Sequence, residues 1–421
     1  MKKKFKIATL GCRTNQYESQ AYRDQLISLG YLPAKEDEPA DICIVNTCSV
    51  TCKADGSSKA VIKQMKKYNP HAAFYVTGCM VENHSEELKK EDDQLYLVPN
   101  SQKETLVNKI FDKEEQKGFP RFAIKRFEGH TRAFIKVQDG CNSFCSYCII
   151  PFLRGRSRSR TIDDVITEVN DLVAHGYKEV VLTGINLGDY DGGDEKGHLS
   201  ALVKAVDEVP GIERIRLSSI YADEVDEQLA DVILTGKHTC KSMHIVLQSG
   251  SDRVLKQMNR KYTQQFYLDK IQSLQAKCPD FTVTTDIIVG FPGETEEDFE
   301  DTLRTVEKVR FAKVHVFPYS KREGTRAARF TDHLPKQVIE KRRDILLDLS
   351  EKGAFSLRQD FLGREMDILL ESKLMQDKTL ISGHSDNFLL VHVKGENLHR
   401  NSFVKTRIVD NTNQALIAEV V

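Results

Sequence analysis

Asp139-Gly140-Cys141-Asn142-Ser143-Phe144-Cys145-Ser146-Tyr147-Cys148-Ile149-Ile150 follows a run that reads as a strand and sets three cysteines in a Cys-x3-Cys-x2-Cys spacing. A cubane iron-sulfur cluster ordinarily takes four cysteine thiolates, so a compact triplet with no fourth member nearby leaves one iron open to another ligand. The competing reading is a zinc site completed by a remote fourth ligand. The surrounding chain decides between them.

Outward from the triplet, six strand candidates at 133–138, 180–183, 214–218, 243–248, 283–289 and 314–319 alternate with amphipathic stretches such as 163–174, 226–234, 264–276 and 296–309. That is an α/β pattern. Six βα units make an open, three-quarter form of the eight-unit barrel, a partial (βα)6 barrel, with chemistry expected at the carboxyl ends of its strands. The triplet follows the first strand. Gly184 and Asn186 end the second, Ser218 and Ser219 the third, Gln248 the fourth, and Gly290 to Glu294 the fifth. Each could be an ordinary βα turn. Together they ring the triplet with small polar groups suited to binding a cofactor, which a purely structural barrel does not require.

The first hundred residues repeat one theme, an apolar strand that runs into a cysteine: 5–11 into Cys12, 42–47 into Cys48, and 73–78 into Cys79. Helical patterns at 18–29 and 57–67 lie between, so a parallel sheet is expected. Ligands of such sheets sit outside the carboxyl ends of the strands, where the three cysteines emerge and should converge on a second metal cluster. Cys43 lies inside a strand and reads as core. Cys52 shares a helical face with Cys48 and is a weaker ligand candidate. Cys240 and Cys278 read as structural.

Residues 101–132 are largely polar, and Asp112-Lys113-Glu114-Glu115-Gln116-Lys117-Gly118 marks a boundary. Three domains result: 1–118, the barrel at 130–360, and 363–421. After the barrel, Leu334-Pro335 opens a helix whose Val338, Ile339, Ile345, Leu346 and Leu349 suit one face against it. Short strands at 366–370, 388–393, 403–409 and 415–420 then read as a small β-barrel of a kind used on RNA.

At 421 residues the chain is long enough for several cores. Its ten cysteines follow no secretory leader, so they are expected to be reduced thiols in the cytoplasm. No stretch approaches the roughly 18 apolar residues of a membrane span, so no membrane anchor is expected. The net charge of −1 argues against wholesale coating of nucleic acid and directs attention to local basic segments. Arg154, Arg156, Arg158 and Arg160 form one of them, just after the triplet. A charge run is usually a solvated face, but its place beside the site favours an anionic substrate such as RNA. In the terminal segment Lys394, Arg400, Lys405 and Arg407 mix with Phe388, His392 and Phe403, which suits phosphate contact and base stacking, or simply core packing.

The triplet's spacing and flanking aromatics resemble the radical-SAM superfamily, in which the open iron chelates S-adenosylmethionine and passes it one electron. Over essentially the whole chain, the order of cysteine domain, triplet barrel and a terminal domain similar to TRAM resembles the methylthiotransferase family. Leu10-Gly11-Cys12-Arg13-Thr14-Asn15-Gln16-Tyr17-Glu18-Ser19 looks most like the MtaB branch, which acts on N6-threonylcarbamoyladenosine next to the anticodon of tRNA. The segments 247–255 and 258–263 are also similar to the family. The resemblance implies two [4Fe-4S] clusters, one on Cys141, Cys145 and Cys148 and an auxiliary one on Cys12, Cys48 and Cys79 that carries or receives the inserted sulfur. It also implies S-adenosyl-L-methionine as cofactor, tRNA as partner, an electron donor of flavodoxin or ferredoxin type, and a sulfur donor. The chain departs from the family at Tyr221, where relatives commonly carry a glutamate that Asp223 or Glu224 could replace. Isopentenyladenosine and a ribosomal-protein aspartate are alternative substrates within the family. A non-catalytic iron-sulfur RNA-binding protein is the alternative outside it.

Overall fold

A computed structural model describes residues 3–111, 122–127, 129–193, 197–373 and 380–421; the boundary expected at 112–118 lies outside them. The first unit is a five-stranded parallel sheet in the order β2-β1-β3-β4-β5, built from β1 (Lys4–Thr9), β2 (Leu32–Pro33), β3 (Ile42–Thr47), β4 (Ala73–Gly78) and β5 (Tyr96–Val98). β3 is buried at every position, with Cys43 and Val45 packing to one side and Ile42 and Ile44 to the other. Its unbroken apolar run is what a strand covered on both faces requires.

The helices are longer than the sequence pattern indicates: α1 spans Arg13–Ser28 and α2 Cys52–Tyr68, while α3 (Cys79–Glu91) starts at its cysteine. The extra first turn of α1 is polar, yet Thr14, Asn15 and Glu18 are buried there. Residues 101–110 are not a linker. A 3-10 turn and α4 (Leu106–Ile110) bury Leu106 and Val107 in the first unit's core.

The central unit is the expected open barrel. β6 (Arg132–Lys136) continues into β7 (Gln138–Asp139), which pairs with β8 (Arg158–Ser159); β9 (Glu179–Thr183) and β10 (Arg214–Leu217) complete the first three-stranded sheet. After Ser218 the third strand resumes as β11 (Ser219–Tyr221) and leads into β12 (Ser242–Val246), β13 (Thr282–Val289) and β14 (Lys313–Pro318), all parallel. The helices are α5 (Ile150–Arg154), α6 (Ile162–Ala174), α7 (Leu199–Asp207), α8 (Glu227–Thr235), α9 (Asp252–Gln257), α10 (Gln264–Lys277), α11 (Glu296–Val309) and α12 (Lys336–Gln359). Side chains of Thr161, Asp226, Thr263 and Thr295 cap four of them by accepting a backbone N–H, which fixes where those helices begin. In α12, Leu346 is fully buried and Ile339 and Leu349 pack against the core, but Ile345 faces outward.

The terminal unit is a closed barrel of five strands, β15 (Glu365–Lys373), β16 (Leu380–His384), β17 (Leu390–Lys394), β18 (Phe403–Asn411) and β19 (Leu416–Val420), in the order β15-β16-β17-β19-β18. β16 has no counterpart in the sequence pattern, because Ser382, Gly383 and His384 break its apolar alternation. This unit closes the floor of the central barrel. Arg214 donates to the carbonyls of His384 (2.7 Å) and Asp367 (2.6 Å), and Arg216 to those of Ser385 (2.6 Å) and Asp386 (2.8 Å). Phe388 and Phe403, which the sequence offers either for base stacking or for core packing, lie against these arginines, 5.0 Å from Arg216 and 4.6 Å from Arg214.

The first unit meets the barrel through a buried charge cluster. Glu18 of α1 pairs with Lys103 (2.6 Å), Arg154 (3.2 Å) and Lys136 (3.6 Å), and Asp139 with Lys103 (2.5 Å), Arg154 (2.8 Å) and Lys136 (3.6 Å). Burial alone pushes Glu18 up, but Lys103, Arg154 and Lys136 outweigh it and hold the carboxyl at about 2. A depressed carboxyl contributes its stability above the unfolded value of 4.5 and loses it as pH falls through about 2. Glu18→Gln leaves the buried Lys103 and Arg154 sharing Asp139 alone, while Lys136 keeps Glu104. It is expected to cost about 3 kcal/mol and to flatten the loss of stability with falling pH across that window, read by denaturant melts at a series of pH values.

Candidate functional site

The triplet sits where β7 hands over to α5. Gly140 has φ +76°, and a Cβ there would run into the Arg156 carbonyl, so the turn that presents Cys141 needs glycine. The segment 258–260 wraps this loop: the Met258 carbonyl accepts from Ser146 N (3.0 Å), Asn259 Nδ2 donates to the Phe144 carbonyl (3.1 Å), and Arg260 Nη1 donates to Cys145 Sγ (3.2 Å). Burial, and then Cys145, push the Cys148 thiol up to about 12. Metal ligation needs the thiolate, so loading this site releases protons.

The second triplet gathers at the carboxyl ends of β1, β3 and β4. Gly78 (φ +94°) lies against the backbone of Thr47, which leaves no room for a Cβ and sets Cys79 at the start of α3. At Gly11 a Cβ would fall 2.8 Å from Cys48 Cβ, so glycine lets the chain carry Cys12 past Cys48. Burial pushes the Cys48 thiol up to about 11, and Cys79 and Cys12 add to the rise. Cys52 takes no part in this grouping. Its Sγ lies 3.5 Å from both the Lys321 carbonyl and Arg322 Nη1. All ten cysteines are free thiols.

The arginine run divides. Arg154 is buried and bonds Asn15 Oδ1 (2.5 Å) as well as the two carboxylates, and its charge opposes the rise that burial imposes on the Cys79 thiol. It is therefore a counter-ion beneath the Cys12, Cys48 and Cys79 triplet and presents nothing to RNA, which corrects the expectation for that residue. Arg160 pairs with Glu168 and Tyr17 at the α1 contact and is likewise engaged. Arg156 and Arg158 remain exposed, with Arg156 4.4 Å above the ring of Phe144 and Phe152 beside it. Lys405 and Arg407 are exposed too, both paired to Glu365.

The remaining sequence candidates line the strand ends. Gly184 faces Gln138, whose Oε1 accepts from the backbone N–H groups of Ile185 (2.9 Å) and Asn186 (3.0 Å). Ser219 is half-buried and opens β11. Asn186 Oδ1, Ser218 Oγ and Gln248 Oε1 are buried with no hydrogen-bond partner among the described residues. Three orphaned polar atoms on three successive strand ends are costly unless a ligand meets them. Gln248, at φ +69°, lines a cavity of about 210 Å³ with Cys148 and Tyr147 below, Val50 and Thr51 above, and Phe317 at the side. That cavity reaches from Cys148 to the loop that follows Cys48.

One group here was missed in the sequence, and one of the two acids offered in place of Tyr221 is found at the site. Arg260 lies in the family-like segment 258–263 and carries no signal of its own there, yet its guanidinium holds Cys145 and stacks 3.6 Å from the ring of Tyr221. Glu224 bonds Asn186 Nδ2 (2.8 Å) and the backbone N of Tyr221 (3.1 Å), so an acid reaches the site although Tyr221 is not one. No helix among the described residues is long and apolar enough to cross a membrane.

Residues 135–306 match the model of the Radical SAM superfamily, and residues 4–99 match that of the Uncharacterized protein family UPF0004. A protein of Chlamydia pneumoniae named threonylcarbamoyladenosine tRNA methylthiotransferase MtaB is 47% identical over 99% of this chain and 98% of its own. A tRNA-2-methylthio-N(6)-dimethylallyladenosine synthase of Clostridium perfringens is 34% identical over 100% of this chain and 98% of its own. Among solved structures, the radical S-adenosylmethionine methyltransferase TsrM of Kitasatospora setae, with tryptophan and a SAM analog bound, superposes with a TM-score of 0.56 at 14% identity, covering 75% of this chain and 72% of that one. At that identity the likeness is one of fold.

Proposed function

The chain belongs to the radical SAM methylthiotransferases, and on that premise we propose that it places a methylthio group at C2 of N6-threonylcarbamoyladenosine next to the anticodon of tRNA. The observation that carries this reading is the cavity bounded on one side by Cys148 and on the other by the loop that follows Cys48. A nucleobase held there lies between a site suited to radical generation and a site suited to holding sulfur. The greater identity to the threonylcarbamoyl enzyme, 47% against 34%, favours that substrate over dimethylallyladenosine, also called isopentenyladenosine.

Cys141, Cys145 and Cys148 would hold one [4Fe-4S] cluster and Cys12, Cys48 and Cys79 a second. When bound, these clusters and S-adenosylmethionine supply the one-electron chemistry, the sulfur and the methyl group. The chain's own side chains orient them. Asn186, Ser218 and Gln248 offer unpaired polar atoms to the cofactor, Gly184 and Ser219 lie beside them, Glu224 fixes the Asn186 amide, and Arg260 braces Cys145. Arg156 and Arg158 with Phe144 and Phe152, and Lys405 and Arg407 on the TRAM-like terminal barrel, are the surfaces proposed for tRNA. An electron donor of flavodoxin or ferredoxin type and a sulfur donor complete the system, which works in the cytoplasm with its tRNA.

The test is anaerobic turnover by the reconstituted enzyme on two tRNAs, one bearing the threonylcarbamoyl group and one the isopentenyl group, with nucleosides read by mass spectrometry. Methylthiolation of the first and little of the second is expected. Equal turnover, or activity on the isopentenyl tRNA alone, overturns the substrate assignment.

A further inference from the structure

Asp286, which lines the cavity beside Cys148, pairs with His244 of a second pocket in the barrel, lined by Arg13, Phe134, Arg216, His244 and His315, with Phe388 of the terminal barrel as its floor. Arg13 immediately follows Cys12 and opens α1, and it enters where that helix packs against β6. Its side chain is exposed within the lumen and lies 5.5 Å from the ring of Phe134. Among the described residues it has no hydrogen bond and no ion pair. Its neighbours are otherwise. Arg216 is held by Glu179 (2.6 Å) and by backbone carbonyls, Arg132 by Glu371 (3.4 Å), and Asp286 is paired to His244 (3.3 Å). An unpartnered guanidinium facing a cavity that already contains two further arginines attracts an anion, although the donor atoms of His244, Asp286 and His315 lie within 4.8 Å of one another as a cation site would need.

The depth of the site matches one particular anion. Ile288, Phe317, Gln248 and Asp286 line the upper cavity, and Asp286, one inward-facing step from Ile288, is paired in register with His315 of the second pocket. Such a step is about 7 Å along a strand. The N6 substituent of threonylcarbamoyladenosine runs from the base through a carbonyl, an N–H and an α-carbon to a carboxylate, about 5 Å away by bond lengths. With the base between the triplets, that carboxylate falls at the level of His315 and the reach of Arg13. The threonyl hydroxyl and carbamoyl N–H are donors for Asp286.

Resting on the substrate reading above, we infer that Arg13 is the specificity-determining residue that binds the carboxylate of the threonylcarbamoyl group inside the barrel, with His315 beside it. The guanidinium presents a fork that pairs a carboxylate in bidentate fashion. An isopentenyl tail leaves the same group desolvated and unpaired, so one residue both favours the acid and disfavours the apolar tail. The arginine run after the triplet cannot take this part, because Arg154 and Arg160 are engaged and Arg156 and Arg158 lie outside the lumen.

The reconstituted holoenzyme is assayed on tRNA bearing the threonylcarbamoyl group as the free acid and as its methyl ester, with iron content measured in parallel. Wild-type protein is expected to prefer the acid by about 50-fold in kcat/KM. Arg13→Gln should lose about that factor on the acid and treat acid and ester alike, while Arg13→Lys regains part of the preference. A Gln variant with wild-type iron that keeps the preference overturns the inference. Where the Gln variant fails to assemble, the wild type decides alone, since equal turnover of acid and ester also overturns it. Failure of the underlying substrate reading looks different: neither the acid nor the ester is turned over and the isopentenyl tRNA is.

Discussion

Alanine at Cys141, Cys145 and Cys148 together is expected to remove about half of the iron and sulfide of the anaerobic protein and to abolish reductive cleavage of S-adenosylmethionine. The backbone of the loop that carries the three thiols is held from outside the triplet, by Met258 and Asn259, so the fold around it has its own support. What is lost is the metal, not the barrel. The orphaned atoms of Asn186, Ser218 and Gln248 remain in place in such a variant, so the loss of cleavage is expected to come from the missing metal and not from these groups. Iron at the wild-type level, or residual 5′-deoxyadenosine above the protein-free rate, would contradict this.

The complementary variant, alanine at Cys12, Cys48 and Cys79, is expected to lose the other half of the iron, still form 5′-deoxyadenosine, and make no methylthio product. Its thiols come from three different strand ends of the first unit, and the counter-ion beneath them is Arg154, whereas Arg260 serves the barrel triplet. Because Arg154 is also paired to Glu18 and Asp139, the charge cluster that joins the two units survives removal of the thiols. Full iron content, or methylthiolated product, would show that these three cysteines do not form a working metal site.

The elements that were legible in the sequence are those whose signal is local. The six barrel strands and the cysteines at strand ends are read from alternation and spacing, and the structure places each strand within a residue or two of its expected bounds. What was not legible depends on partners far apart in the chain. Arg154 reads as one member of a charge run because Glu18 and Asp139, which bury it, lie 136 and 15 residues away. Lys103 sits in a polar stretch that resembles a linker and yet is 1% exposed, since the same carboxylates draw it inward. Phe388 and Phe403 have the composition of a nucleic-acid surface, but Arg214 and Arg216 cover them. Arg13 belonged to a recognised segment and carried no signal of its own. Only the closure of α1 against β6 puts it in the lumen.

The substrate assignment meets its most direct test in the cell. Nucleosides from the tRNA of a strain lacking this gene, separated and weighed by mass spectrometry beside those of the parent, are expected to lack the 2-methylthio derivative of threonylcarbamoyladenosine while retaining threonylcarbamoyladenosine itself. Persistence of that derivative, or loss of the methylthio derivative of isopentenyladenosine in its place, would contradict the assignment.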